Sequence, residues 1–275
     1  MEAIGIGVLI SGGGTNLQAI IDACERSSLK AAILFVGSDN PLAGGLDRAH
    51  KHDIPTFVVD YKAIIRRCRE NPAQVQLPPD ADLDEIAAKQ AVLSPAKGPE
   101  FVRSFLTSRT IAEAQMLEKM APYPFDLLVL AGFMRTLTPY FIDRVNFERA
   151  RPRIMNIHPA LLPAFAGTDG YGDTYRYGCR VGGCTVHFVD YGEDTGPIID
   201  QQAFHIEPGE TLEAVRRKGL KLEWELYPKC IQLFAEGRLH LLPKARELKS
   251  GGSATRTIVE ISPPRADEVR QPSEG

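Results

Sequence analysis

The sequence predicts an α/β fold, a doubly wound and mostly parallel sheet of the Rossmann-like kind. Two observations carry this expectation. Short apolar strands alternate with helical segments through the first half of the chain, and several of those strands are apolar at nearly every position, as strands buried on both faces are. With 275 residues, 44% of them hydrophobic, the chain is long enough for one large core with elaborations.

Taken in order, "AIGIGVLI" (3–10) is the first strand, and "TNLQAIIDAC" (15–24) follows as a helix on which Leu17, Ile20, Ile21 and Cys24 mark one face. "AAILFVG" (31–37) is the second strand, a short helix falls near Gly45 to His52, and "PTFVVD" (55–60) supplies a third strand. Between residues 70 and 100 the texture changes, because Pro72, Pro78, Pro79, Pro95 and Pro99 crowd one stretch. That stretch predicts an inserted excursion, about 62–105, rather than core. "DLLVLAG" (126–132) and "RIMNIH" (153–158) return to the buried-strand pattern. After His158 come a glycine- and aromatic-rich irregular loop (159–181), strands at 182–189 and 197–206, and a helix from about 210 to 235 that Pro228 should kink. From Lys244 the residues are polar and dotted with proline, which predicts a loosely attached tail (244–275) behind a domain of residues 1–243. No internal repeat is present.

Composition narrows the function. Lys and Arg number 32 against 35 Asp and Glu, so no basic field draws the chain to nucleic acid or to a membrane surface. No apolar run reaches the roughly eighteen residues of a membrane span, and the start "MEAIGIGVLISGGG" lacks a basic leader, so a cytoplasmic location is expected. Five scattered cysteines fit reduced thiols, and Cys179, Cys184 and His187 match no familiar zinc spacing, so no metal is expected.

Four segments carry chemistry. In "LISGGGTNLQ" (9–18) a strand runs into three glycines, and Thr15 and Gln18 stand at capping-box spacing at the start of a helix. Free amides and the positive end of the helix dipole make such a turn an anion site. The Walker lysine is missing and the sixth position of a dinucleotide pattern is Leu17, so the loop favours a single phosphate over a dinucleotide; a tight turn with no ligand is the bland alternative. "VLAGFMRTLTP" (129–139) exposes Phe133, Met134 and Arg135 at a strand tip, as a ligand wall or simply as a hydrophobic plug with a surface arginine. In "NIHPALLP" the twofold strand period puts Asn156 and His158 on one face, where an amide and an imidazolium suit an oxyanion developing at a carbonyl carbon. "TVHFVDYGEDTGPII" (185–199) brings Asp190, Glu193 and Asp194 on an acidic turn, either solvated or near enough to His158 to stabilise its charge and move a proton through water.

These blocks, with "EWELYP" near the end, resemble in order those of the glycinamide ribonucleotide formyltransferases, the folate-dependent enzymes of purine synthesis, over about residues 3–60 and 106–240. The resemblance implies the formyltransferase fold, transfer of the formyl group of 10-formyltetrahydrofolate to the amine of glycinamide ribonucleotide, and a monomer or homodimer working without nucleic acid or membrane. It implies Asn156, His158 and Asp194 as the catalytic trio. For the substrate it implies Gly14, Thr15 and Asn16 around the phosphate, helped by Gly132, with Pro159 beside the trio, Arg109 as a further phosphate or ribose contact, and Glu223 for the amine. Met134, Arg135, Thr136, Leu137, Val189, Asp190 and Asp194 are implied along the pterin end of the folate.

The chain departs from that family between Gly167 and His187, where the usual helical "G-x-x-A" pattern gives way to "TDGYGDTYRYGCRVGGCTV". Tyr171, Tyr175, Arg176 and Tyr177 either stack over a cofactor or pack the loop. Two other functions stay open: transfer to a different amine, and a nucleotide-binding module without catalysis that uses the glycine loop and Asp39.

Overall fold

The computed structural model describes residues 2–147, 151–247 and 253–264. Its first half runs β1 (Ile4–Ile10), α1 (Thr15–Glu25), β2 (Ala31–Ser38), α2 (Gly45–Lys51), β3 (Thr56–Val58), α3 (Tyr61–Glu70), α4 (Leu83–Lys89), α5 (Pro99–Met120) and β4 (Leu127–Leu130). Then follow α6 (Pro139–Val145), β5 (Ile154–His158), α7 (Gly170–Arg176), β6 (Val181–Phe188), β7 (Ile198–His205), α8 (Leu212–Ala235), β8 (Leu239–Glu247) and β9 (Ser253–Ile261). Seven strands form one sheet in the order β3-β2-β1-β4-β5-β6-β7. Pairing is parallel from β3 across to β5 and antiparallel between β5, β6 and β7. The doubly wound, mostly parallel expectation is met.

Alternation along the central strands explains why they are apolar throughout. Ile6, Val8 and Ile10 of β1 face a cluster completed by Leu17, Ile20 and Ile21 of α1 and by Leu226, Cys230 and Ile231 of α8. Leu9 faces the opposite cluster, with Met116 and Met120 of α5 and Phe141 of α6. β4 splits likewise, Leu127 and Val129 to one side, Leu128 and Leu130 to the other. Each such side chain removed from water contributes about 1.5–3 kcal/mol, so both layers of helices are fastened by the same strands.

Several expectations are corrected. The stretch 62–105 is not only an excursion: Tyr61, Ile64, Ile65 and Cys68 give α3 a helical apolar face that joins the core below β1 and β4. Leu83, Ile86 and Leu106 form a smaller cluster with Tyr140. Pro99 opens α5, where its missing N–H costs nothing. Residues 244–247 and 253–261 are not a loose tail but lie in an antiparallel hairpin, Leu239 opposite Ile261 through Glu247 opposite Ser253. Thr255, Thr257, Ile258, Val259 and Ile261 supply the β-branched content that this needs; 248–252 and 265–275 lie outside the described residues. Thr15 and Gln18 form no capping box, because Gly14 is itself the N-cap and no side chain caps the helix. α8 runs through Pro228 as one helix, and the loop expected at 159–181 contains α7.

Candidate active site

The chain leaves β1 toward β2 and β3 on one side and returns to β4 and β5 on the other. The carboxyl ends of β1, β4 and β5 therefore diverge around a crevice, where open α/β sheets hold ligands. A cavity of about 450 Å³ occupies it. Of the residues that the resemblance implies for catalysis, substrate and folate, all but Arg109 line this cavity.

The glycine turn is pinned from outside. Gly14 has φ +69, and a Cβ there would lie 2.7 Å from Gly45 Cα, so both backbone conformation and close approach require glycine. Gly45 N–H donates to Gly12 O at 3.0 Å, and Arg48 Nε donates to Gly13 O at 2.8 Å. Gln18 N–H to Gly14 O is the first intrahelical bond, so the amides of Thr15, Asn16 and Leu17 open the helix ahead of it. Ser11, which sequence reading passed over, accepts from Met134 N–H at 2.8 Å and thereby ties this turn to the β4 tip.

Across the crevice the β5 pair behaves as the strand period requires: Met155 and Ile157 enter the core on one face, and Asn156 and His158 point to the other. Asp194, held at φ +53, brings Oδ2 to 3.1 Å from His158 Nδ1 and also accepts from Gly167 N–H at 2.9 Å. His158 Nε2 lies 2.8 Å from Phe165 O, so both ring nitrogens face acceptors. Burial opposes charge on His158, but the hydrogen bond and charge of Asp194 prevail and raise its pKa above the ordinary imidazole value. Burial likewise pushes Asp194 upward, yet the hydrogen bond and charge of His158, with the Gly167 amide, hold its carboxyl well below the usual range, while a second histidine ring nitrogen stands 3.6 Å from its other oxygen.

The second histidine is His187, a residue the sequence reading weighed only as a metal ligand. Its Nδ1 is 2.9 Å from Phe188 O and therefore carries the proton, which leaves Nε2 to accept from Asn156 Nδ2 at 3.2 Å. His187 sits directly opposite Asn156 in the β5–β6 register. Its role was hidden because that antiparallel pairing is not written in the sequence.

On the α8 side, Glu223 is 5% exposed. Its Oε2 accepts from Asn16 Nδ2 at 2.7 Å and its Oε1 from the Tyr171 hydroxyl at 2.6 Å. Burial raises its pKa, against those two hydrogen bonds. In the atypical loop Tyr171 is buried and lines the cavity, Tyr175 donates to Glu210 O, and Arg176 pairs with Asp169 and Asp173. Tyr177 stays 80% exposed, edge-on to Phe165.

Arg109, expected as a phosphate or ribose contact, is not among the residues that line the cavity. Its guanidinium lies 4.8 Å from the Phe105 ring centre and 5.6 Å from that of Tyr61, with Nε and Nη1 buried and lacking a hydrogen-bond partner among the described residues. Asp39 is also committed elsewhere, being 1% exposed and ion-paired with Arg135 Nε. Among the described residues no group of three or more His, Cys, Asp or Glu could hold a metal ion, and no helix is long and apolar enough to cross a membrane.

Residues 5–231 match the formyl transferase family, and the chain, with this sheet and crevice, belongs to that family. Within it the chain is similar to the phosphoribosylglycinamide formyltransferase of Haemophilus influenzae, 34% identical over 86% of this chain and 89% of that protein. It is similar to the Bacillus subtilis protein of the same name at 32% identity over 82% of this chain and 91% of that one. It also matches the trifunctional purine biosynthetic protein adenosine-3 of Bos taurus at 32% identity, covering 86% of this chain but 19% of that longer protein. The solved glycinamide ribonucleotide transformylase 1 of Symbiobacterium toebii superposes with a TM-score of 0.66 at 34% identity over 94% of each chain. The resemblance drawn from the motifs is borne out.

Proposed function

We propose that this formyltransferase moves the formyl group of 10-formyltetrahydrofolate onto the amine of glycinamide ribonucleotide. The observation that carries the reading is the convergence of Asn156, His158 and Asp194 in the cavity that also holds the Gly14–Asn16 turn and Glu223. Gly14, Thr15 and Asn16, with Gly132, receive the phosphate, and Glu223 receives the amine. Met134, Arg135, Thr136, Leu137, Val189 and Asp190 form the wall for the pterin end, and Pro159 stiffens the turn behind His158.

As the amine attacks the formyl carbon, the carbonyl oxygen gains negative charge. The Asn156 amide, oriented by His187, and the His158 imidazolium stabilise it. Direct donation from His158 Nε2 requires the Phe165 carbonyl, which now accepts from it, to yield its place. The Asp194 carboxylate, through a water, carries the proton from the attacking nitrogen to the leaving nitrogen, so the carbon–nitrogen bond to the folate breaks without a covalent enzyme intermediate. The same reading has the protein in the cytoplasm, a monomer or homodimer, acting on small molecules and using no metal.

The test is a formyl-transfer assay with both substrates. His158→Asn is expected to lower kcat by about 10²–10⁴-fold; no transfer by the wild type, or turnover indifferent to His158, counts against the reading. A different amine as acceptor is the second reading, favoured by Tyr171 standing on Glu223 in the altered loop, and a panel of amines decides between the two. The Arg135 ion pair leaves Asp39 ill placed to serve a catalytically silent nucleotide-binding module.

A further inference from the structure

Glu223 is a buried carboxylate whose two protein donors are both neutral. Asn16 and Tyr171 each satisfy one oxygen, at 2.7 and 2.6 Å, and neither is a cation. The titratable groups that face it are His158 on β5, Tyr171 on α7, Cys184 on β6 and Tyr227 on its own helix. Burial pushes both tyrosines and the cysteine upward, so those three remain neutral. The remaining group, His158, is paired with Asp194 at 3.1 Å, so a buried negative charge on Glu223 has no cation in direct contact and is completed by a cationic ligand from the cavity.

Tyr171 reaches the carboxylate only through a gap in α8. A Cβ at Gly219, one helical turn before Glu223, would lie 2.1 Å from Tyr171 Cζ and 2.3 Å from its hydroxyl oxygen. Val215 and Ile206, with Phe204 at a ring-centre distance of 6.3 Å, close around the ring, and its hydroxyl donates to Glu223 Oε1. Tyr171 and Glu223 line the same cavity.

We propose that Tyr171, seated in the space left by Gly219, is a positioning residue that holds the Glu223 carboxylate toward the cavity as the receptor for a protonated substrate amine. This rests on the reading of Glu223 as the amine receptor. The hydrogen bond favours the charged carboxylate, so removing it raises the pKa of Glu223.

Infrared difference titration of the Glu223 carboxyl in substrate-free protein, assigned by comparison with Glu223→Gln, tests this directly. In Tyr171→Phe, which keeps the ring and its packing, the Glu223 midpoint is expected to rise by about one pH unit, and the acid limb of kcat/KM to follow it. KM for the amine substrate should rise about tenfold while KM for the folate stays unchanged. Gly219→Ala, which displaces the ring, should reproduce the shift, and Tyr171→Phe should add nothing in a Glu223→Gln background. An unmoved midpoint in Tyr171→Phe, or an undiminished effect in that background, overturns the proposal. If the wild type fails to formylate glycinamide ribonucleotide, the functional reading falls, while the carboxyl titration still decides the positioning role.

Discussion

His158 is 3% exposed, a burial that alone would drive an imidazole neutral, and Asp194 at 3.1 Å reverses that preference. The pair makes stability depend on pH in a definite sense. The raised pKa of His158 contributes stability that is complete below its unfolded value, about 6.5, and is lost as pH rises through the folded value; the lowered pKa of Asp194 contributes above about 3.9 and is lost as pH falls through its folded value. Both contributions are therefore full between about pH 4 and 6.5. Asp194→Asn should cost about 3 kcal/mol in that window and progressively less above it, and should lower kcat by about 10²-fold or more. Denaturant unfolding of both proteins across this range checks it, and a deficit that does not vary with pH would contradict the ion-pair account. At this scale the strand period alone made Asn156 and His158 neighbours. Asp194 is 36 residues away from His158 along the chain, so its approach was implied only by resemblance. Arg109, implied by the same resemblance, is not among the residues that line the cavity.

Elements were legible where burial imposes a period and illegible where contacts across the fold decide. The strands of the parallel core and the helix after the glycine turn follow from apolar spacing. α3 was obscured because the prolines that follow it dominate the composition, although none lies inside α3 and Pro99 stands at the start of α5. One contact beside the crevice is announced by no local pattern: the Tyr227 hydroxyl on α8 lies 3.0 Å from Leu130 O and 2.8 Å from Met155 O, joining the last residue of β4 to the neighbouring strand β5. A single hydroxyl proton serves two buried carbonyls, so the interaction fastens the strands that lead into Gly132 and Asn156 to the same helix that carries Glu223. Tyr227→Phe should destabilise the fold by about 1–2 kcal/mol, or roughly 3–6 °C in Tm, and lower kcat by loosening the tips relative to one another. Thermal unfolding and steady-state kinetics on the same preparation test this, and full activity with an unchanged Tm would show the tie to be dispensable.

For the molecule as a whole, the two ends of the cavity are supported by different parts of the chain. The glycine turn is braced by α2, through Gly45 and Arg48. The segment carrying Asp194 lies near the β8–β9 hairpin, where Arg256 Nη2 donates to Thr195 O at 3.4 Å. Leu239, Leu241 and Val259 pack against the sheet core from the hairpin, and a second cavity of about 400 Å³ lies between Thr195, Pro197 and Leu241. Deleting residues 239–275 thus removes partly buried apolar surface from one end only. The expected cost is about 2–4 kcal/mol, seen as a lower Tm. Because the hairpin touches the acid-bearing turn and α2 holds the phosphate turn independently, kcat should fall while KM for the phosphate-bearing substrate stays near that of the full chain. Thermal unfolding with separate determination of KM for each substrate distinguishes the cases. An unchanged Tm would mean that the hairpin merely rests on the sheet, and a large rise in KM for the phosphate-bearing substrate would mean that the two ends of the cavity are not independently braced.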